Sequence, residues 1–139
     1  MVRFSAAEES YLAGHDLGRV ATAGANCQPH VTPVNYEFAP GTSVIVLPGL
    51  DAGSKKFRDL QQNNRVGFVV DDLPDDDAES PRGVCIRGYA EIFKDGGEFH
   101  QDGFGGGWLR IVPERVVSWG LGESTGDDRS EQREVEPVS

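Results

Sequence analysis

The hydrophobic positions of this chain fall into short runs of two different periods. Ser5-Ala-Ala-Glu8 has the spacing of a capping box and Gly14 supplies a stop, so residues 5–13 form a predicted short helix. Gly18-Arg-Val-Ala-Thr-Ala23 follows as a strand and Gly24-Ala-Asn-Cys27 as a turn. Pro29 to Phe38 is the return strand of a hairpin. Pro33 lacks an N–H, which puts that strand at an edge or a bulge rather than in the middle of a sheet. After Pro40-Gly41, Ser43 to Pro48 carries the apolar run Val44-Ile-Val-Leu47. Ser54 suits an N-cap for a helix to Gln62, with Phe57 and Leu60 on one face. Arg65 to Asp71 is another strand. Gly83 to Phe93 has the longest period-2 pattern, with Val84, Ile86, Ala90 and Ile92 on one face and Cys85, Arg87, Tyr89 and Glu91 on the other. A glycine-rich connection leads to a strand at Trp108 to Val112, and Pro113-Glu-Arg115 is expected to turn into a separate strand at Val116 to Trp119.

Six or seven short antiparallel strands with two short helices predict a mainly β fold, and closure into a barrel would remove its exposed edges. With 139 residues the chain can bury one core, assigned to residues 1–121. Residues 122–139 lack apolar periodicity and are expected to form an acidic, disordered tail.

The formal charge of −10 changes this picture less than its size suggests. Residues 71–79 hold six acids and no base, and residues 122–139 hold six more against two arginines; the rest of the chain carries 11 acids and 11 bases. The acidity belongs to one loop and one tail, and the absence of a basic excess argues against nucleic-acid binding. No apolar run is long enough to span a bilayer and no signal peptide is evident, so a cytoplasmic protein is expected. Cys27 and Cys85 are far apart in sequence, and His15, His30 and His100 are dispersed, so neither a disulfide framework nor a metal site is predicted. No G-x-S-x-G elbow supports a serine hydrolase.

The segment from Val44 to Leu60 is the most informative for chemistry. A glycine-flanked loop delivers the chain to a helix start bearing Ser54, Lys55 and Lys56. Lysines in a first turn oppose the helix dipole, and a bound phosphate would reverse that cost. The same residues serve equally as a solvated helix face, and the pattern alone leaves both open.

Four segments in order resemble one family. Leu17-Gly-Arg-Val-Ala-Thr-Ala23 with Gln28-Pro-His-Val-Thr-Pro-Val34 resembles the opening hairpin of the pyridoxamine-phosphate-oxidase-like split barrels. Ser54-Lys-Lys-Phe-Arg-Asp-Leu60 followed by Asn64-Arg-Val-Gly-Phe-Val-Val-Asp71 resembles their phosphate-binding helix and next strand. Arg82-Gly-Val-Cys-Ile-Arg-Gly-Tyr-Ala-Glu91 is similar to a third segment. Arg110-Ile-Val-Pro-Glu-Arg-Val-Val-Ser-Trp-Gly-Leu121 resembles the closing signature of the branch of F420-dependent flavin/deazaflavin oxidoreductases. The resemblance covers residues 8–121.

It implies an antiparallel split β-barrel of the FMN-binding type, a homodimer with cofactor at the subunit interface, and an F420-dependent reductase acting on a small enone- or imine-like acceptor. FMN is the alternative cofactor. A non-catalytic carrier of F420, flavin or haem, and a β-barrel interaction module, are the alternative functions. By position the resemblance makes Ser54, Lys55 and Lys56 phosphate contacts. It sets His30, Pro33 and Asn35 beside the ring system, Pro48 and Gly49 where backbone approaches the cofactor, and Arg82 as a reach into the cleft from the second subunit. Tyr36 and His30 are candidates for proton delivery on reach alone. The substrate-phosphate arginine and histidine pattern of true pyridoxamine-phosphate oxidases is missing near the C-terminus.

Overall fold

The structure is a computed structural model and describes residues 3–50, 55–74, 80–93, 107–122 and 130–134. Helix α1 (Ala6–Ala13) begins where the capping box predicts. The Ser5 side chain accepts from the Glu8 N–H, and Glu8 Oε1 accepts from the Ser5 N–H at 2.8 Å. Such a cap contributes about 1 kcal/mol. Glu8 is fully buried, and its other oxygen accepts from the Ser118 hydroxyl at 2.7 Å, which ties the helix to the far end of the chain.

Strands β1 (Leu17–Ala23), β2 (Pro29–Asn35), β3 (Ile45–Leu50), β4 (Arg65–Asp72), β5 (Arg82–Phe93) and β6 (Gly107–Trp119) form one curled antiparallel sheet, in the order β2-β1-β4-β5-β6-β3. Helix α2 (Lys55–Gln62) connects β3 to β4. Alternation along β1, β4 and β5 turns Val20, Val66, Phe68, Val70, Val84, Ile86 and Ala90 inward, where they meet Leu109, Ile111 and Val116 of β6. Tyr11 and Leu12 of α1 and Phe57 and Leu60 of α2 close the core. The mostly β, split-barrel architecture expected from the sequence is the one observed.

Two expectations are corrected. The chain does not turn at Pro113; β6 runs straight through it as one 13-residue strand. A bulge absorbs the missing N–H: Arg87 pairs with Arg115 and Gly88 with Pro113, leaving Glu114 as the extra residue. The tail also contributes a strand, β7 (Ser130–Glu134), paired with Arg115 to Trp119 of β6. Main-chain pairing at an unfilled edge needs no apolar alternation, so the residues gave no sign of it. No helix among the described residues is long and apolar enough to cross a membrane.

Candidate functional site

The two ends of the sheet order, β2 and β3, almost meet. One isolated bridge joins them, with the Glu37 N–H donating to the Val46 carbonyl at 2.8 Å and the Val46 N–H to the Glu37 carbonyl at 3.0 Å. Beyond that bridge, among the described residues, β2 pairs with β1 and β3 with β6, and no ladder joins β2 to β3. Proline explains the gap, because Pro33 on one lip and Pro48 on the other have no N–H to offer across it. At Pro48-Gly49 the β3–β6 register also shifts, so this lip bends away from its own partner. The result is a seam between the two ends of the sheet, and β3 leads from it toward the start of α2.

Of the residues predicted from the sequence, the structure gathers Pro33 and Asn35 on one lip of this seam and Pro48 and Gly49 on the other. His30 shares β2 but not the face. Parity puts Pro33 and Asn35 outward and exposed, while half-buried His30 points inward, opposite buried Thr22. Ser54 and the side chains of Lys55 and Lys56 lie outside the described residues; α2 begins at Lys55. Tyr36 is not placed to deliver a proton, because it is buried and donates its phenol to the Leu12 carbonyl at 2.7 Å.

Arg82 lies elsewhere, at the start of β5. Its Nε and Nη2 donate to the two Asp72 oxygens at 2.8 and 3.0 Å, and the Tyr11 phenol donates to the same carboxylate at 2.7 Å. Hydrogen bonds from Arg82 first, and from Tyr11 second, hold the Asp72 carboxyl well below the usual carboxylate range. Burial, then the bond to Asp72, pushes the Tyr11 phenol up. The His15 ring packs on Tyr11 at 4.2 Å and its Nε2 stands 3.8 Å from Asp72. This cluster fastens α1 to the β4–β5 turn and engages both Arg82 donors within its own subunit.

The sequence did not single out a third place. Arg65, Arg87 and Arg115 line a groove of about 580 Å³ on the outer face, near the C-terminal end of α2. The three are 22 and 28 positions apart along the chain and become neighbours only through strand register. Among the described residues no cluster suited to a metal ion occurs.

Comparison with known proteins places this geometry. A model of the pyridoxamine 5'-phosphate oxidase family matches residues 4–116. A 5a,11a-dehydrotetracycline/5a,11a-dehydrooxytetracycline reductase of Streptomyces rimosus is 40% identical over 119 residues, covering 85% of this chain and 84% of its own. A conserved hypothetical protein of Mycobacterium tuberculosis has the same fold, with a TM-score of 0.69 and 26% identity over 91% of this chain and 94% of its own. A solved F420 reductase shares it at a TM-score of 0.64 and 18% identity, covering 81% of this chain and 98% of its own.

Proposed function

The chain belongs to the pyridoxamine 5'-phosphate oxidase family, and from that membership we propose that it is a reductase that takes a deazaflavin of the F420 type at the seam between β2 and β3. Oxidoreductase activity follows from its likeness to a reductase over 85% of its length, and that likeness carries the proposal. The residues present fit such a group. Two lips with unpaired main chain can hydrogen-bond the polar edge of a ring system, and Gly49 allows close backbone approach. The start of α2, reached from β3 through residues 51–54, turns main-chain N–H groups toward a phosphate, together with Ser54, Lys55 and Lys56.

When bound, the deazaflavin supplies a hydride to an electron-poor carbon of a conjugated acceptor. The protein's own part is positioning. The lips orient the ring and the lysines anchor the phosphate, while the prolines keep the seam from zipping shut. The acceptor class proposed is a conjugated enone or imine, in keeping with the ring-system substrates named for the Streptomyces rimosus relative. Pro33 and Asn35 face outward beside Val31, which is 62% exposed, and Leu17, 53% exposed. We assign this surface to a second copy of the chain, which would wall the cofactor on its open side.

Parallel equilibrium titration with F420 and FMN, followed by turnover with an enone acceptor, tests the proposal. Tight F420 binding, weak FMN binding and acceptor reduction are expected. Preference for FMN overturns the choice of cofactor, and binding of neither overturns the seam as its site.

A further inference from the structure

Helix α2 buries a carboxyl group together with its apolar side chains. Phe57 and Leu60 are 3% and 2% exposed, and Asp59 between them is 6% exposed. A carboxyl group is costlier to bury than a leucine side chain unless it is bonded. The Thr22 hydroxyl of β1, itself 4% exposed, donates to Asp59 Oδ2 at 3.5 Å. That is long for a hydroxyl donor, so close packing fixes Asp59 as much as the bond does. Its other oxygen, Oδ1, lies so near Gly24 that a Cβ there would stand 2.7 Å from it. Three residues further along α2, the Gln62 side-chain oxygen accepts from the Ala25 N–H at 3.1 Å. The contacts at Thr22, Gly24 and Ala25 all fall where β1 ends and the turn to β2 begins.

The two lips of the seam reach α2 in different ways. β3 runs into the helix through residues 51–54, so the chain itself limits its distance from the helix start. β2 is tied to α2 through space instead. It is the second strand of the hairpin that Asp59 grips, and Thr22, the donor to Asp59, stands in register with His30 of β2. Taking the seam and the α2 start as one cofactor site, as proposed above, we propose that Asp59 is the positioning residue of that site. It holds the start of α2 at a fixed reach from the β2 lip, so that the ring and the phosphate of one deazaflavin are met together. Lys55 and Lys56 come four and three residues before Asp59, about one turn, so any roll of the helix at Asp59 is passed to the turn that carries them. An apolar side chain at 59 would fill the same space and let the helix slide, whereas a bonded polar group has a direction.

The test is equilibrium titration of the full chain with F420 and with the deazaflavin nucleoside that ends at its ribityl hydroxyl, before the phosphate. Wild type should favour F420. Asp59→Ala and Gly24→Ala should each weaken F420 about 10-fold, the scale of one hydrogen bond to a charged group. The nucleoside should change by less than about 2-fold in both, because the ring end of the site is left alone. Gly24→Ala carries the comparison even if Asp59→Ala fails to fold, since the atoms nearest its new methyl group are side-chain atoms of Asp59 and Gln62, which can swing aside. Asp59→Asn keeps an oxygen for the Thr22 hydroxyl and should restore most of the F420 affinity. Equal losses for both ligands overturn the proposal, because Asp59 then supports the fold alone. Unchanged F420 affinity in Gly24→Ala also overturns it. So does an Asp59→Asn variant that loses as much as Asp59→Ala, or that binds F420 more tightly than wild type, because charge then decides. A wild type that binds both ligands alike, or neither, removes the phosphate site at α2 and this inference with it, a failure visible before any variant is made.

Discussion

Replacing Asp72 by Asn isolates the contribution of one carboxylate that joins three elements. The side chain accepts two hydrogen bonds from Arg82 and one from Tyr11, and it is 31% exposed. Asparagine keeps the shape and one acceptor oxygen but loses the charge and the second acceptor. A hydrogen bond to a charged group contributes about 1.5–3 kcal/mol when buried. Partial exposure screens the pair, so the expected loss is about 1–2 kcal/mol at pH 7. For a chain of this length that lowers Tm by roughly 3–6 °C.

The pH dependence is more diagnostic than the size of the loss. The folded-state pKa of Asp72 is depressed below its ordinary 3.8, so the stabilisation is complete well above that value. It is lost as pH falls through the ordinary value toward the folded one. Urea unfolding of wild type and Asp72→Asn should therefore differ by the full amount at pH 7, and the gap should narrow progressively as pH falls below about 4. A gap of equal size at pH 7 and pH 2.5 refutes the charge-based account, and coincident midpoints at pH 7 refute the tie itself.

Two other substitutions probe the bulge and the phosphate turn. Gly88→Ala should cost more than about 3 kcal/mol, because its Cβ would strike a backbone oxygen at 2.0 Å in a central strand; loss of soluble yield or a collapse in Tm is the expected reading. Lys56→Ala should weaken cofactor affinity about 10-fold or more while sparing turnover at saturation, and equal losses in both would contradict an anchoring role.

Much of the fold was legible because it is written in local pattern. Ser5 and Glu8 mark their own helix, and the alternation from Val84 to Ile92 carries a buried and an exposed face that the sheet respects. Pro33 announced an edge, and β2 is one. Pro113 misled for an equally physical reason. A proline in a strand usually ends it, but a bulge with a glycine opposite lets the strand continue, and whether that glycine will stand opposite depends on register. The arginine groove was invisible for the same reason. The resemblance set His30, Pro33 and Asn35 along one strand, and strand parity, which depends on register, turns them to two faces of it. Arg82 was assigned to a cleft by position, while its partner, Asp72, was counted only as part of an acidic loop.

The outer edge of β6 is shared by two tenants. β3 takes Gly107 to Ile111, and β7 takes Arg115 to Trp119. A bare strand edge of that length invites addition of a foreign strand and, from there, aggregation. Residues 130–134 thus cover that edge through main-chain pairing. Shortening the chain before residue 130 would leave catalytic chemistry untouched on paper and still yield a protein prone to self-association.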